Sequence, residues 1–383
     1  MNQSNLIEAL GAHATSEAID GFIKEHALPL VEPGFATFVY RGEADGVYFM
    51  PMIFGLPRRH PFRRLEGTDL WYLTLELPDH ARVEYKFEIE RDGHGEWIDD
   101  PLNPLRTHNP FGQNSVLRGW GYSIPDWTRK GPEGPEGTVE EALIPSRHLT
   151  GIRRVSLYLP PGFSGNATHH LIVFDGGDYL RYGGIVPVLD NLINQGLIPP
   201  LVVALSHPEE RLAEYSAHRG HAGFVAEELV PWMENRFRRI GRPVLMGASM
   251  GAVAALHTAV VFPMRFDGLV LQSGTFARFP GGGAARRVLE PVVNFLKDFD
   301  ASAVPHRVFV SCGRFERLVV ENRGMAERFR RAGREVGYVE APDGHTWEGW
   351  RDRLREALTF VYPVSPISPV SPAGPVSPVS PAS

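Results

Sequence analysis

Hydrophobic and polar positions change their spacing along this chain. Over residues 6–26 the apolar side chains recur at helical spacing, which predicts one or two short helices. Over residues 34–122 short runs that alternate apolar and polar residues are separated by Gly, Pro, Asp and Asn, as is typical of a β-sandwich. We therefore assign residues 1–33 to an N-terminal helical segment and residues 34–128 to an all-β sandwich domain.

A different pattern begins after residues 129–137, whose Pro- and Gly-rich composition is that of a linker. Strand-like and helix-like runs alternate from there on, and the strand-like runs are nearly continuous in apolar residues. This alternation predicts an α/β domain over residues 138–362, with a mostly parallel sheet covered by helices on both faces. Predicted strands lie at 154–159, 170–174, 200–205, 243–246, 266–271, 307–311 and 336–341, and predicted helices at 185–196, 223–237, 322–331 and 347–360.

The last residues, 363–383, repeat Val-Ser-Pro almost regularly. Closely spaced prolines prevent both helices and sheet ladders, so we predict a disordered, extended and solvated tail. The alternative interpretation is that this tail is a ligand for a proline-recognising domain.

The composition of the chain narrows the cellular compartment and the binding partners that we expect for this protein. The length of 383 residues suggests two domains, and the formal net charge of −6 favours neither nucleic acid nor an anionic membrane as a partner. The single cysteine, Cys312, cannot form an internal disulfide. The first residues have neither the basic nor the apolar part of a signal peptide, and no run is long and apolar enough to span a bilayer. We expect a cytoplasmic protein.

The most informative motif surrounds Ser249, in Gly247-Ala248-Ser249-Met250-Gly251. The motif follows a predicted strand and precedes a helix-like run. In this context the glycines permit a strained turn that raises the serine oxygen above the sheet, so we predict Ser249 as a nucleophile. The same turn directs the backbone N–H of Met250 toward an oxyanion. The alternative is an ordinary turn that uses small residues for close packing.

A serine nucleophile needs a base, and the base needs an orienting group. In this fold class they follow in the order Ser, acid, His. His345, in a Gly-containing loop between the last predicted strand and helix, is the predicted base, and its alternative is a surface loop histidine. Glu316 follows the preceding predicted strand and is the predicted acid. Competing carboxylates are Asp343, Glu321 and Asp267.

Other candidates follow earlier strands or the predicted base. Gly176 and Gly177 lie after a strand, where one of them is expected to supply the second oxyanion donor, although turn glycines are the alternative. Arg211 follows the next strand, at the sheet edge where ligands bind, and suits an acidic or polyhydroxylated substrate unless it pairs with Glu214. Trp347 either lines a substrate pocket or packs under the last helix.

We expect a small-molecule ester as partner and no cofactor or metal. The chain contains neither a G-x-G-x-x-G nor a Walker-type phosphate loop. His218 and His221 lack the carboxylate or thiolate neighbours of a zinc site.

These motifs resemble the enterochelin (ferric enterobactin) esterase family, in the esterase D group of α/β-hydrolases. In the C-terminal part the resemblance rests on the Ser249 motif, Phe174-Asp175-Gly176-Gly177 and Gly344-His345-Thr346-Trp347. In the N-terminal part Gly67-Thr68-Asp69-Leu70-Trp71 and Asp99-Asp100-Pro101-Leu102-Asn103-Pro104 resemble an immunoglobulin-like early-set module.

The resemblance implies a function. The family hydrolyses the esters of trilactone catecholate siderophores in the cytoplasm. By resemblance Ser249 attacks the ester, His345 acts as base and then as acid, and Arg211 faces the catecholate. Some relatives lack an orienting acid, so a Ser-His dyad is an alternative to the triad with Glu316. The expected partner is a ferric catecholate siderophore or a similar ester.

Other functions fit parts of the same pattern. A carbohydrate or feruloyl esterase would use the sandwich domain to bind glycan. An acyltransferase would pass the same acyl group to an alcohol instead of water. Outside enzymes, the alternative is a glycan-binding protein with a silent hydrolase domain.

Overall fold

The computed structural model describes residues 7, 10–11, 14–52, 59–131, 134–165, 169–237 and 241–364. Two antiparallel sheets lie in the N-terminal part of the chain, and a mixed sheet flanked by helices follows. We call residues 30–118 the N-terminal sheet region and residues 138–362 the α/β region. Of the tail predicted at 363–383, all but Pro363 and Val364 lies outside the described residues, so its conformation stays a prediction.

The N-terminal sheet region consists of two antiparallel sheets that pack face to face. Its strands are β1 (Leu30–Glu32), β2 (Phe35–Arg41), β3 (Gly46–Pro51), β4 (His60–Pro61), β5 (Arg63–Arg64), β6 (Leu70–Glu76), β7 (Arg82–Arg91), β8 (His94–Ile98), β9 (Arg106–Asn109) and β10 (Gly112–Arg118). One sheet has the order β1-β2-β6-β5, and the other β4-β3-β7-β10-β9, with β8 paired to β7. Aromatic rings fill the space between them: Phe38 of β2 lies 4.4 Å from Phe49 and 5.0 Å from Tyr85, measured between ring centroids.

Helix α1 (Ser16–Glu25) covers the outer face of the first sheet. Thr15 caps it by accepting a hydrogen bond from the Ala18 amide. The predicted helical spacing therefore corresponds to a helix over part of its length. Strand β1, however, lies inside the segment assigned to helices, because Leu30 pairs with Thr37 of β2.

The α/β region is built on an eight-stranded sheet of order β11-β12-β14-β13-β15-β16-β17-β18. The strands from β14 to β18 in this order run parallel, whereas β11 and β12 pair antiparallel at one edge. The predicted mostly parallel sheet is thus confirmed. The strands are β11 (Thr138–Pro145), β12 (Ile152–Leu159), β13 (His169–Val173), β14 (Leu201–Ser206), β15 (Val244–Ala248), β16 (Gly268–Gln272), β17 (Arg307–Gly313) and β18 (Glu335–Ala341).

Helices cover both faces of this sheet, with one apolar core on each face. They are α2 (Gly176–Arg181), α3 (Ile185–Asn194), α4 (Arg211–Tyr215), α5 (Arg219–Gly223), a π-helical turn (Phe224–Leu229), α6 (Val230–Arg236), α7 (Met250–Val261), α8 (Gly283–Asp298), α9 (Val319–Arg331), α10 (Trp347–Asp352) and α11 (Leu354–Val361). The single helix predicted at 347–360 is therefore two helices, which meet at Arg353.

Strand β11 and helix α8 were not predicted. The signal for α8 is present, because Val288, Val292 and Leu296 recur at a spacing of four residues and Val292 and Leu296 are buried. Pro291 lies within this helix.

The predicted linker is fastened to helix α3. The Asn191 side chain donates hydrogen bonds to the carbonyls of Trp127, at 3.0 Å, and Arg129, at 2.7 Å. At the other end the Gly137 amide donates to Asp190 at 2.9 Å. The described part of this segment is therefore held against the α/β region.

Arg82 of β7 joins the two regions. Its backbone N–H donates to the carbonyl of Pro342, and its guanidinium donates to Thr346 Oγ1 at 3.3 Å. The same guanidinium lies 2.7 Å from the Glu348 carboxylate and 3.2 Å from that of Glu84. The Arg82 and Glu84 side chains are only 1% and 4% exposed, so water screens the ion pair between them very little. The loop between β18 and α10 is thus held by the N-terminal sheet region.

We expect Arg82→Gln to lower the free energy of unfolding by about 3–5 kcal/mol, because it leaves the buried Glu84 carboxylate without its cation. Urea denaturation at pH 7 measures the change. The control is Arg323→Gln, which removes an exposed partner of Glu340 and is expected to cost less than about 1 kcal/mol. Equal losses in the two variants would contradict a structural role for Arg82.

Candidate active site

Ser249 lies at a strained turn between β15 and α7. Its backbone has φ 57° and ψ −119°, a positive φ that side-chain-bearing residues rarely adopt. The turn is held on both sides, since the Ser249 amide donates to the carbonyl of Gln272 at 2.8 Å and its carbonyl accepts from the Thr275 amide at 3.1 Å. A Cβ atom on Gly247 would lie 2.4 Å from the carbonyl carbon of Gly251. Strand and helix therefore approach each other more closely than a side chain would allow.

Glu316 and His345 lie within hydrogen-bond distance, with 2.7 Å between Oε2 and Nδ1. The other carboxylate oxygen accepts from Ser273 Oγ at 2.6 Å and from the Gly313 amide at 2.8 Å. Burial by itself raises the pKa of the Glu316 carboxyl, but the hydrogen bonds from His345, Ser273 and Gly313 outweigh it and hold this pKa below its ordinary value. The ionised carboxylate orients the imidazole through Nδ1.

The backbone brings these two side chains together by joining the loops that follow β17 and β18. The Arg314 amide donates to the carbonyl of Ala341 at 2.8 Å, and the Phe315 amide donates to that of Asp343 at 3.1 Å. A Cβ atom on Gly313 would lie 2.4 Å from the Asp343 carbonyl oxygen. A glycine at this position therefore permits the close approach of the two loops.

Two further residues that the sequence analysis did not assign to the site support this pair. Trp350 donates from Nε1 to Ser273 Oγ at 2.9 Å, and its ring lies edge-to-face on the His345 ring at 4.8 Å. Ser273 in turn donates to Glu316. The sequence signal for Ser273 was its position directly after a buried strand, β16. This strand neighbours β15, and the carboxyl ends of adjacent parallel strands lie at the same edge of the sheet.

Ser249 and His345 line the same cavity, which has a volume of about 620 Å³. Met250, Arg211 and Trp347 line it as well. The N-terminal sheet region supplies part of the wall through Glu84, Asn109, Pro110 and Phe111. A cavity of this size holds a ligand far larger than an acetyl ester.

Charged side chains balance one another around this cavity. Because cations and carboxylates are equal in number, net charge alone selects neither anionic nor cationic ligands. The cations are Arg211, Arg278 and Arg317, and the carboxylates are Glu84, Asp178 and Glu321.

The predicted oxyanion donors begin two helices beside the site. Met250 is the first residue of α7, where the backbone N–H has no partner within the helix. Gly176 and Gly177 begin α2, after the strand that neighbours β15, and the next residue, Asp178, lines the cavity. A Cβ atom on Gly176 would lie 2.4 Å from the carbonyl carbon of Leu205, so close packing also explains this glycine. Their role as donors stays a prediction.

Arg211 does not pair with Glu214, so that alternative was wrong. Both Nε and Nη2 of Arg211 donate to the carboxylate of Asp175 at 2.7 Å, whereas Glu214 pairs with Arg153 at 2.7 Å. The Arg211 side chain is 35% exposed and reaches the cavity, so its contact with substrate stays a prediction. Trp347 lines the cavity, and its ring lies 5.1 Å from that of Tyr179, so its contact with substrate stays a prediction.

Of the three competing carboxylates, two pair with arginine side chains and the third lines the cavity. Asp343 is buried and paired with Arg353. Asp267 pairs with Arg242 and precedes β16, at the opposite edge of the sheet. Glu321, on α9, lines the cavity.

The described residues offer no cluster typical of a metal site. Among these residues, no three or more His, Cys, Asp or Glu side chains are grouped so that they could hold a metal ion. Burial and the Arg153 cation lower the pKa of His221 to about 3, so this imidazole is neutral. None of the described helices has the length and apolar character to cross a bilayer.

The chain resembles known esterases over most of its length. Residues 146–281 match the family described as "Putative esterase". The iron(III) enterobactin esterase of Escherichia coli (strain K12) is 24% identical over 331 residues, which are 77% of this chain and 80% of that protein. A ferric enterobactin esterase from Salmonella typhimurium superposes with a TM-score of 0.71 and 22% identity, over 89% of this chain and 98% of the other. A ferulic acid esterase superposes with a TM-score of 0.51 and 22% identity, over 60% of this chain and 99% of its own.

We expect Gly247→Ala to lower ester hydrolysis about 100-fold, because the added methyl displaces the turn that positions Ser249. The overpacked turn is also expected to lose about 1–3 kcal/mol of stability. Turnover of p-nitrophenyl acetate and urea denaturation measure both effects. The control is Gly21→Ala in α1, where a Cβ atom meets no other atom within 4 Å and which leaves turnover unchanged. A Gly247→Ala enzyme with the parent rate would contradict the geometric constraint.

The lowered pKa of Glu316 predicts a pH-dependent stability. A carboxyl whose pKa in the folded state lies below the ordinary value of 4.5 stabilises the fold above that pH, and the contribution is lost as the pH falls through the folded pKa. Wild type is thus expected to be more stable than Glu316→Gln at pH 7, by an amount that shrinks below pH 4.5. Urea denaturation of both proteins between pH 7 and pH 3 tests this. A difference that does not vary with pH would contradict it.

Proposed function

Because the chain belongs to the enterochelin esterase family, whose members are carboxylic ester hydrolases, we propose that it hydrolyses an ester of a catecholate siderophore through an acyl-enzyme. One observation carries the mechanism. Ser249, at a strained strand-to-helix turn, and His345, oriented by Glu316, line one cavity. A hydroxyl, an imidazole and a carboxylate in this relation are the components of acyl transfer by a serine nucleophile.

In the first half of the reaction Ser249 Oγ attacks the ester carbonyl carbon while Nε2 of His345 accepts the hydroxyl proton. The Glu316 carboxylate stabilises the resulting imidazolium through Nδ1. The carbonyl oxygen becomes an oxyanion, to which the amide of Met250 and that of Gly176 or Gly177 donate. The intermediate collapses as the carbon–oxygen bond to the alcohol breaks. His345 returns its proton to the departing alcohol, which leaves the acyl group on Ser249.

In the second half water attacks the acyl-enzyme and His345 accepts its proton. The bond to Ser249 breaks, the serine oxygen takes the proton back from His345, and the carboxylic acid leaves. The chain thereby consumes one water for each ester and regains its starting protonation. No cofactor or metal enters this sequence.

The extent of the likeness favours a siderophore ester over a feruloyl ester. The enterobactin esterase structure covers 89% of this chain, whereas the ferulic acid esterase covers only 60% of it. The N-terminal sheet region also contributes to the cavity wall. We take this region to be an immunoglobulin-like early-set module that shapes the site. The finer parts of the proposal are the ferric catecholate itself as substrate, contact of the catecholate with Arg211, and a cytoplasmic location, which the single cysteine favours.

The test is to incubate wild type with ferric and iron-free catecholate trilactones and with feruloylated sugars, and to identify the products by mass. We expect hydrolysis of a trilactone by wild type and none by Ser249→Ala, with unchanged circular dichroism. Glu316→Gln is expected to lose at least about 100-fold in turnover but less than Ser249→Ala, because a base without its orienter still works in part.

Each other outcome changes a specific assignment. Undiminished turnover by Ser249→Ala would refute the nucleophile. Parent activity in Glu316→Gln would favour a Ser-His dyad. Hydrolysis confined to feruloylated sugars would replace the siderophore by a feruloyl ester as substrate.

A further inference from the structure

A second hydroxyl lies beside the proposed nucleophile. Oγ1 of Thr275 makes a hydrogen bond of 3.2 Å with Oγ of Ser249, and the Thr275 side chain lines the same cavity. Thr275 is buried. Among the residues that the structure describes, its hydroxyl has no other hydrogen-bond partner. The contact is longer than the common hydroxyl–hydroxyl distance of about 2.8 Å, and such bonds shorten as the acceptor gains charge.

The loop that follows β16 fixes the place of Thr275. Its amide donates to the Ser249 carbonyl at 3.1 Å, so backbone and side chain both join the two residues. The preceding residue, Gly274, donates to and accepts from the side-chain amide of Asn322, at 2.9 Å each. Asn322 is itself buried. Ser273 has φ 46°, which side-chain-bearing residues rarely adopt. The hydroxyl is therefore held at the nucleophile by a fixed backbone.

The two hydroxyl hydrogens indicate the direction of this bond. If Ser249 donated to Thr275, the Thr275 hydrogen would have no acceptor among the described residues, and a buried donor without an acceptor is costly. If Thr275 donates instead, its hydrogen is satisfied. The Ser249 hydrogen then stays available for Nε2 of His345, as acyl transfer requires.

We propose that Thr275 is a further catalytic residue, which donates a hydrogen bond to Oγ of Ser249 in both halves of the reaction. Negative charge grows on this oxygen as His345 removes its proton, and a donor already in place stabilises that charge. In the second half the same oxygen leaves the acyl carbon and gains charge again. Thr275 keeps its own proton throughout. This inference rests on the proposed function and adds to it a group that acts on the serine oxygen.

Thr275→Val tests the role, because it removes the hydroxyl and keeps the size of the side chain. We expect kcat for p-nitrophenyl acetate and for an iron-free catecholate trilactone to fall about tenfold. Since both halves slow alike, KM is expected to stay within about twofold. Inactivation by diisopropyl fluorophosphate, in which the Ser249 oxygen displaces fluoride from phosphorus, reports the attack alone. Its second-order rate constant is expected to fall by a similar factor.

Three further variants separate the hydroxyl from packing. Thr275→Ser restores the hydroxyl and is expected to stay within about threefold of wild type in all these rates. Thr275→Ala lacks both the hydroxyl and the methyl, and we expect it to lose as much as Thr275→Val. Thr74→Val removes a hydroxyl–hydroxyl bond of 2.9 Å to Thr37, in the N-terminal sheet region and away from the cavity lining, and should change no rate. Urea denaturation compares the stability of all four.

Several outcomes would overturn this inference while the proposed function stands. Parent rates in Thr275→Val and Thr275→Ala would show that the hydroxyl is not used. Faster variants would show that Ser249 is the donor. A loss in Thr275→Ser as large as in Thr275→Val, or an equal loss in Thr74→Val, would assign the effect to packing. If wild type hydrolyses neither ester in a Ser249-dependent manner, the proposed function fails and the role of Thr275 fails with it.

Discussion

The hydrogen bond between Glu316 and His345 is the interaction on which the site depends. A buried carboxylate is costly unless it is fully hydrogen-bonded, and here Ser273 and the Gly313 amide satisfy the oxygen that His345 does not use. Trp350 contacts both Ser273, to which it donates a hydrogen bond, and the His345 ring, with which it packs edge-to-face. The loops after three adjacent parallel strands thus form one polar network at the carboxyl edge of the sheet. Ser249 enters the same space from a fourth strand.

The N-terminal sheet region acts on this network from outside the α/β region. Arg82 is buried and bonded to both ends of the loop that carries His345, so the position of the imidazole depends on packing between the two regions. Glu84 links the same cluster to the turn that presents Phe111. One set of buried charges thereby supports both the loop of the proposed base and the proposed substrate wall. Such a connection gives a physical reason for the two regions to occur in one chain.

The predictions from sequence were wrong or incomplete where the partners are distant in the chain or where a visible pattern was not recognised. Arg211 and Glu214 are one helical turn apart and were weighed as a pair, yet each has a partner on another strand or loop. The segment assigned to helices ends in strand β1, because a neighbouring strand offers Leu30 a hydrogen-bonded edge. Helix α8 carried a visible apolar repeat, which was not recognised.

The sequence by itself determined the features that local chemistry encodes, which are the strained Gly-flanked turn at Ser249 and the alternation of strands and helices. It also predicted Glu316 and His345 as acid and base from their places after successive strands, and these roles stay predictions. Local rules suffice there because a turn or a periodic face is specified within a few neighbouring residues. Only the tertiary structure decided that Ser273, Trp350 and Arg82 support the His345 loop, and that Phe111 reaches the cavity. Those contacts depend on how the sheets pack, and the pattern of one segment does not specify which remote segment packs against it.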